Sequence, residues 1–131
     1  MKKTVKQMVA EANSRIETLS VPEAQELLTD EGVTFVDIRD IRELERDGVV
    51  PGAIHAPRGM LEFWVDPDSP YHKEVFATDN KFVFFCAAGW RSALATDTVK
   101  SMGLDNVAHI EGGFGAWREA GCPVEEKKKK S

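Results

Sequence analysis

Only two cysteines, Cys86 and Cys122, occur in 131 residues, which excludes a disulfide-stapled secreted scaffold. Histidine is scarce too, with His55, His72 and His109 alone. No CxxC or HxxxH spacing joins these residues, and two thiols cannot complete a four-ligand zinc site, so no metal is expected. No apolar run approaches the roughly 20 residues of a membrane span. The lysines near the N-terminus are not followed by an apolar core of signal-peptide length. The reading is a cytoplasmic protein, in a compartment where thiols stay reduced. Positive charge is also short: 17 basic against 22 acidic residues give a net charge of −5, and four of the bases stand together at 127–130. A nucleic-acid grip needs a basic face and an anionic membrane surface repels an acidic body. Neither partner is expected.

What is present suits one domain, with 42% hydrophobic and 30% charged residues and a core that buries roughly two thirds of the unfolded surface. Residues 4–19 carry Val5, Met8, Val9, Ala12, Ile16 and Leu19 at spacings of three and four, which predicts an amphipathic helix packed on the domain. Ser20 is placed to cap a second helix, with Pro22 and Glu23 in its first turn and its end near Leu28. Residues 33–38 and 81–85 read as buried strands, 49–55 as a turn around Pro51-Gly52 leading into a short strand, and 107–110 as a last short strand. Between them lie predicted helices at 41–46, 92–102 and 114–120, with short helical turns near 60–64 and 71–76. From Glu125 onward the charge run predicts a disordered tail, 125–131. Strands alternating with helices give an α/β class with a mainly parallel sheet.

The sharpest feature is the stretch Phe85-Cys86-Ala87-Ala88-Gly89-Trp90-Arg91-Ser92. A cysteine ends the most apolar strand, a loop of small residues follows, and a helix opens at an arginine and a serine. In parallel α/β sheets, ligands bind at the carboxyl ends of strands. Backbone N–H groups curling around the sulfur, together with the partial positive charge of a helix start, favour a thiolate over a thiol. The same cradle holds a small oxyanion. Two chemistries use it. Phosphoryl or arsenate transfer uses a longer loop, with five residues between cysteine and arginine. Sulfur transfer through a persulfide uses a tighter one. Here Arg91 comes five after Cys86, with four residues between, which favours sulfane-sulfur transfer.

The chain resembles the single-domain rhodaneses, the thiosulfate sulfurtransferase-like family. The matching pieces are Val36-Asp37-Ile38-Arg39 with Glu43, Pro51-Gly52-Ala53-Ile54-His55, the Cys86 loop, and Gly112-Gly113-Phe114-Gly115-Ala116-Trp117. They stand in the family's order within residues 20–124, which the resemblance makes the domain, with 1–19 as an N-terminal helix before it. It implies a five-stranded, mainly parallel sheet flanked by helices on both faces. It also implies that Cys86 cycles between thiolate and persulfide, taking sulfur from a small anionic donor to cyanide, a thiol or a protein acceptor. No organic cofactor is implied. Val49 departs from the histidine often found before the Pro-Gly turn. Other readings remain: a sulfur carrier or binding module with little turnover, or a phosphatase or arsenate reductase.

The remaining candidates carry structural alternatives. Ala87, Ala88, Gly89, Trp90, Arg91 and Ser92 supply the amides of the proposed substrate loop, and Arg91 is the leading anion-binding side chain. Asp37, Arg39 and Glu43 are read as structural support, through an Arg39–Glu43 ion pair or an Asp37-bonded turn, since buried charges survive by pairing. Arg58 is either a positive charge near the pocket mouth or an ordinary surface arginine. Gly89 is read as supplying a backbone angle closed to other residues, Trp117 as core, and His55 as structural. Trp90 and Trp64 are candidates to wall or cover the pocket. Cys122 is read as an exposed bystander in a Gly-Cys-Pro turn rather than as a resolving thiol.

Overall fold

The apolar runs become five strands. In the structure, a computed structural model that describes residues 1–128, these are β1 (Glu17–Leu19), β2 (Val33–Asp37), β3 (Ile54–His55), β4 (Lys81–Phe85) and β5 (Val107–Ile110). Between and around them run α1 (Val5–Arg15), α2 (Val21–Glu26), α3 (Ile41–Asp47), α4 (Leu61–Val65), α5 (Trp90–Ser101) and α6 (Gly113–Glu119). Tight 3-10 turns form at Arg58–Met60 and Glu74–Phe76. The sheet order is β1-β5-β4-β2-β3, and every pair is parallel. No helix among the described residues is long and apolar enough to cross a membrane.

Strand β4 is central and covered on both sides, as its unbroken apolar run requires. Its period of two sends Phe82 and Phe84 to one cluster, with Val36, Leu61, Phe76 and Val99. Val83 and Phe85 go to the other, with Phe35, Phe114 and Trp117. The Phe76, Phe82 and Phe84 rings follow one another at 5.4 and 6.5 Å. Cys86, the next residue, continues on the Phe84 side and points toward α5 rather than α6.

The helix starts are locally encoded. Thr4 with Gln7, Ser20 with Glu23, and Asp40 with Glu43 each form a reciprocal capping box, satisfying orphan N–H groups in both directions. The apolar stripe of α1 buries Val9 and Ala12 against Ala93 of α5, and Arg15 pairs with Asp97 at 2.6 Å.

Four local expectations change. The helix predicted over 4–19 stops at Arg15, because Glu17, Thr18 and Leu19 pair instead with Ala108, His109 and Ile110 of β5. A three-residue strand is too short to break the helical period that precedes it. Helix α5 begins at Trp90, two residues early, because Gly89 adopts the left-handed angle (φ 105°) that launches it. The turn expected over 71–76 is helical only at Glu74–Phe76. Glu125, expected in a disordered tail, forms an antiparallel bridge with Val49, with both N–H···O bonds 2.8 Å long. Backbone pairing does not depend on side-chain charge, so the charge run hides it. Lys129, Lys130 and Ser131 of that tail lie outside the described residues.

Phe84 tests this architecture, since it is fully buried and stacks in the layer that leads to Cys86. Phe84→Ala is expected to cost about 3–5 kcal/mol, read as a lower midpoint in urea unfolding.

Candidate active site

Cys86 is the first residue past β4 and is 1% exposed. Its Sγ accepts N–H groups from Gly89 at 3.1 Å and Ser92 at 3.3 Å, and its S–H faces Ser92 Oγ at 3.5 Å. Two of the six candidate amides thus reach the sulfur. Ser92 lies in the first turn of the 12-residue α5, so the sulfur also meets the positive end of a helix dipole.

The loop is shaped from beneath. The Cys86 carbonyl accepts the Phe114 N–H at 2.7 Å, and the Ala87 carbonyl accepts the Gly115 N–H at 3.0 Å. Two otherwise unpaired donors of the α6 start are satisfied this way. With its carbonyls turned to α6, the loop turns N–H groups toward the sulfur. Gly112 and Gly113 make the approach possible at φ 75° and 60°. A Cβ at Gly113 would collide with the Cys86 carbonyl oxygen and sit 2.9 Å from Ala87 backbone atoms.

The support residues pair differently from the first alternative above. Arg39 is buried and binds Asp37, not Glu43: its Nε donates to Oδ1 at 3.0 Å and its NH2 nitrogen to Oδ2 at 2.7 Å. A further N–H reaches the Gly48 carbonyl at 2.9 Å. The guanidinium lies 4.0 Å from the centre of the Phe114 ring, a cation–π contact that braces the residue holding the Cys86 carbonyl. His55 is structural here, its Nε2–H donating to the Arg39 carbonyl at 2.6 Å.

Glu43 belongs instead to Arg91. The two guanidinium NH2 groups donate to its two carboxylate oxygens, both at 2.9 Å. The pairing holds the Glu43 carboxyl below its usual range, chiefly through these bonds. Arg91 is raised, by Glu43 first and by Cys86 to a smaller degree. The cation expected to grip an anion is therefore already neutralised beside the sulfur. One-dimensional spacing could not reveal a partner 48 positions away.

Other candidates are placed elsewhere. Arg58 donates to Glu62 at 2.6 Å, one helical turn on. Trp64 packs on the Phe84-side cluster with the Lys73 ammonium 4.9 Å from the centre of its ring. Trp90 is half exposed and borders a cleft of about 510 Å³ with Asn13, Thr18, His109 and Glu111. Trp117 is core, its indole N–H bonded to the Pro123 carbonyl at 2.7 Å. Cys122 is buried rather than exposed and packs in the Trp117 cluster, whereas Cys86 packs in the Phe84 cluster. Both thiols are free, and burial pushes the Cys122 thiol up.

His109 was singled out by no motif, yet its Nδ1 lies 2.9 Å from Ser92 Oγ. Its Nε2–H donates to Asn13 Oδ1 at 3.0 Å, with Thr18 Oγ1 at 3.2 Å. The only hint in the sequence is a histidine inside a wholly apolar strand. Desolvation pushes its pKa down from 6.5 to about 4.

Two outcomes follow from this geometry. Gly113→Ala should destabilise the fold by about 2 kcal/mol or more and slow Cys86 alkylation, measured by urea unfolding and iodoacetamide trapping. Below pH 6.5 an unfolded chain protonates this histidine, while folded His109 stays neutral to about 4. Stability should thus be full above pH 6.5 and decline as pH falls toward 4. Urea titrations of His109→Asn between pH 6.5 and 5 should show a shallower decline than wild type; equal slopes would refute the assignment.

Comparison with known proteins places this geometry. Residues 20–120 match the rhodanese-like domain family. A solved structure from Rhodopseudomonas palustris CGA009, a protein of unknown function described as a possible tyrosine phosphatase, superposes with a TM-score of 0.93. It is 57% identical, over 95% of this chain and 96% of that one. The polysulfide-sulfur transferase homodimer of Wolinella succinogenes gives a TM-score of 0.70 at 31% identity, over 93% of this chain and 87% of that one. Mouse thiosulfate sulfurtransferase/rhodanese-like domain-containing protein 3 is 29% identical over 100 residues, 72% of this chain. The match spans 64% of the mouse protein's length.

Proposed function

The chain belongs to the rhodanese-like domain family, and we propose that it is a sulfurtransferase working through a persulfide on Cys86. The observation that carries this reading is the buried Cys86 sulfur, which receives two backbone N–H groups inside a loop with four residues before Arg91. Such a loop admits one outer sulfur atom more readily than a tetrahedral phosphate.

In the proposed reaction the Cys86 sulfur attacks the outer sulfur of thiosulfate or another sulfane donor. The donor's S–S bond breaks, sulfite or a thiolate leaves with the electron pair, and Cys86 carries a persulfide anion. The amides of Ala87, Ala88, Gly89, Trp90, Arg91 and Ser92 surround the outer sulfur, a preorganised form of anion stabilisation. Cyanide or a thiolate then attacks that sulfur, and the Cys86 thiolate is restored. Because Glu43 neutralises Arg91, amides rather than a free cation hold the negative sulfur. Asp37 and Arg39 act through Phe114 by fixing the loop. Arg58, paired with Glu62, contributes only at the periphery.

The phosphatase description of the Rhodopseudomonas relative supports a second reading. Phosphate transfer would require Arg91 to leave Glu43 and close on phosphate oxygens, in a loop one residue shorter than that chemistry uses. Intact mass after thiosulfate treatment separates the two. One added sulfur is expected on wild type and on Cys122→Ala, and none on Cys86→Ala. Aryl phosphate hydrolysis lost in Cys86→Ser, without a sulfur adduct on wild type, would overturn the proposal.

A further inference from the structure

We propose that Ser92 and His109 form the path by which the Cys86 thiol gives up its proton as it attacks sulfur, with His109 as a positioning residue behind Ser92. The inference rests on the sulfur transfer proposed above and assigns its proton.

The direction of the path follows from the hydrogen bonds. Asn13 Oδ1, 3.0 Å from His109 Nε2, has no proton to give, so Nε2 carries the ring proton. Nδ1 is then a lone pair, and at 2.9 Å it is the nearer of the two acceptors that Ser92 Oγ faces, the Gly89 carbonyl being 3.4 Å away, so it takes the hydroxyl proton. That orientation leaves a lone pair of Ser92 Oγ facing the Cys86 S–H at 3.5 Å. Each donor meets an acceptor in the sequence thiol, serine, histidine. The ring's tautomer is thus set from α1, which gives that helix a link to the reaction beyond packing.

The step balances. The S–H bond breaks and an O–H bond forms on Ser92, while the original Ser92 O–H bond breaks and an N–H bond forms on Nδ1. The relay moves only the proton. In the sulfur transfer it accompanies, the Cys86 sulfur is oxidised as its new S–S bond forms, and the donor is reduced as its S–S bond breaks and sulfite leaves with the electron pair. Thiol, neutral imidazole and thiosulfate dianion become persulfide anion, imidazolium and sulfite dianion, at the same total charge. When the acceptor removes the outer sulfur, the proton returns along the same path. Burial keeps the resting ring neutral, so it accepts a proton only when negative charge develops on the sulfur. The groups around the ring are Asn13 from α1, Thr18 from β1, Phe84 from β4 by register and Ser92 from α5. The ionisable group on the same cleft is Glu111; Arg91, next to Ser92 at the start of α5, is paired with Glu43 of α3.

The test uses the full chain. His109→Asn places an amide oxygen where Nδ1 stood, so it still accepts from Ser92 but cannot take a proton. Iodoacetamide alkylation of Cys86 and persulfide formation from thiosulfate are followed from acid to alkaline pH. The alkylation midpoint should move up by about one pH unit, with persulfide formation about tenfold slower at neutral pH and restored at alkaline pH. Ser92→Ala should shift the profile likewise and add nothing to His109→Asn, whereas Ser92→Thr should keep the wild-type profile. In wild type, ¹⁵N NMR should find the His109 ring doubly protonated in the persulfide state and singly protonated in the thiol state. This last measurement needs no variant, so it decides the matter even if His109→Asn does not fold. Superimposable profiles, or a singly protonated ring opposite the persulfide, would overturn the relay. A shifted alkylation profile without any sulfur adduct would instead sink sulfur transfer and leave the thiol's proton path standing.

Discussion

Two hydrogen bonds, from the Phe114 and Gly115 N–H groups to the carbonyls of Cys86 and Ala87, hold the site in shape. A loop that presents N–H groups inward must send carbonyls outward, and buried carbonyls need donors. The start of α6 has donors to spare. The two needs meet, and two loop carbonyls and two helix-start donors are satisfied at once. The grip requires backbone to approach backbone closely, which is why Gly113 stands against the Cys86 carbonyl.

Charge near the site is arranged around that grip. Asp37 holds Arg39, Arg39 lies over the Phe114 ring, and Phe114 holds the Cys86 carbonyl. On the other side, Glu43 caps α3 and clamps Arg91 in one residue. Removing one member of the buried Asp37–Arg39 pair would strand the other, which is far costlier than never having the pair. The result is a cradle in which backbone dipoles, rather than free cations, face the sulfur. In a chain of net charge −5, that keeps attraction for a negative sulfur local.

Local signals were legible where local forces decide. Ser20, with Glu23 in the first turn, announced a helix start, and the two form a capping box. The Lys81–Phe85 run announced a strand buried on both faces, with Cys86 at its end. Leu19 was misread because its strand exists only through pairing with Ile110. Glu125 was misread because its order comes from two backbone bonds to Val49. Cys122 was misread because a Gly-Cys-Pro turn looks exposed until Trp117 packs over it.

By itself the sequence determined the α/β class, the order of its main strands and helices, and the cysteine loop. These depend on periodicity, caps and spacing, all of which act between near neighbours. Tertiary structure alone decided the partners. It gave Glu43 to Arg91 rather than to Arg39, and it set His109 between Ser92 and Asn13, residues 17 and 96 positions away from it. Hydrogen bonds and ion pairs are selected by distance in space and by what burial leaves unsatisfied. No spacing along the chain encodes either until the sheet has brought its strand ends together.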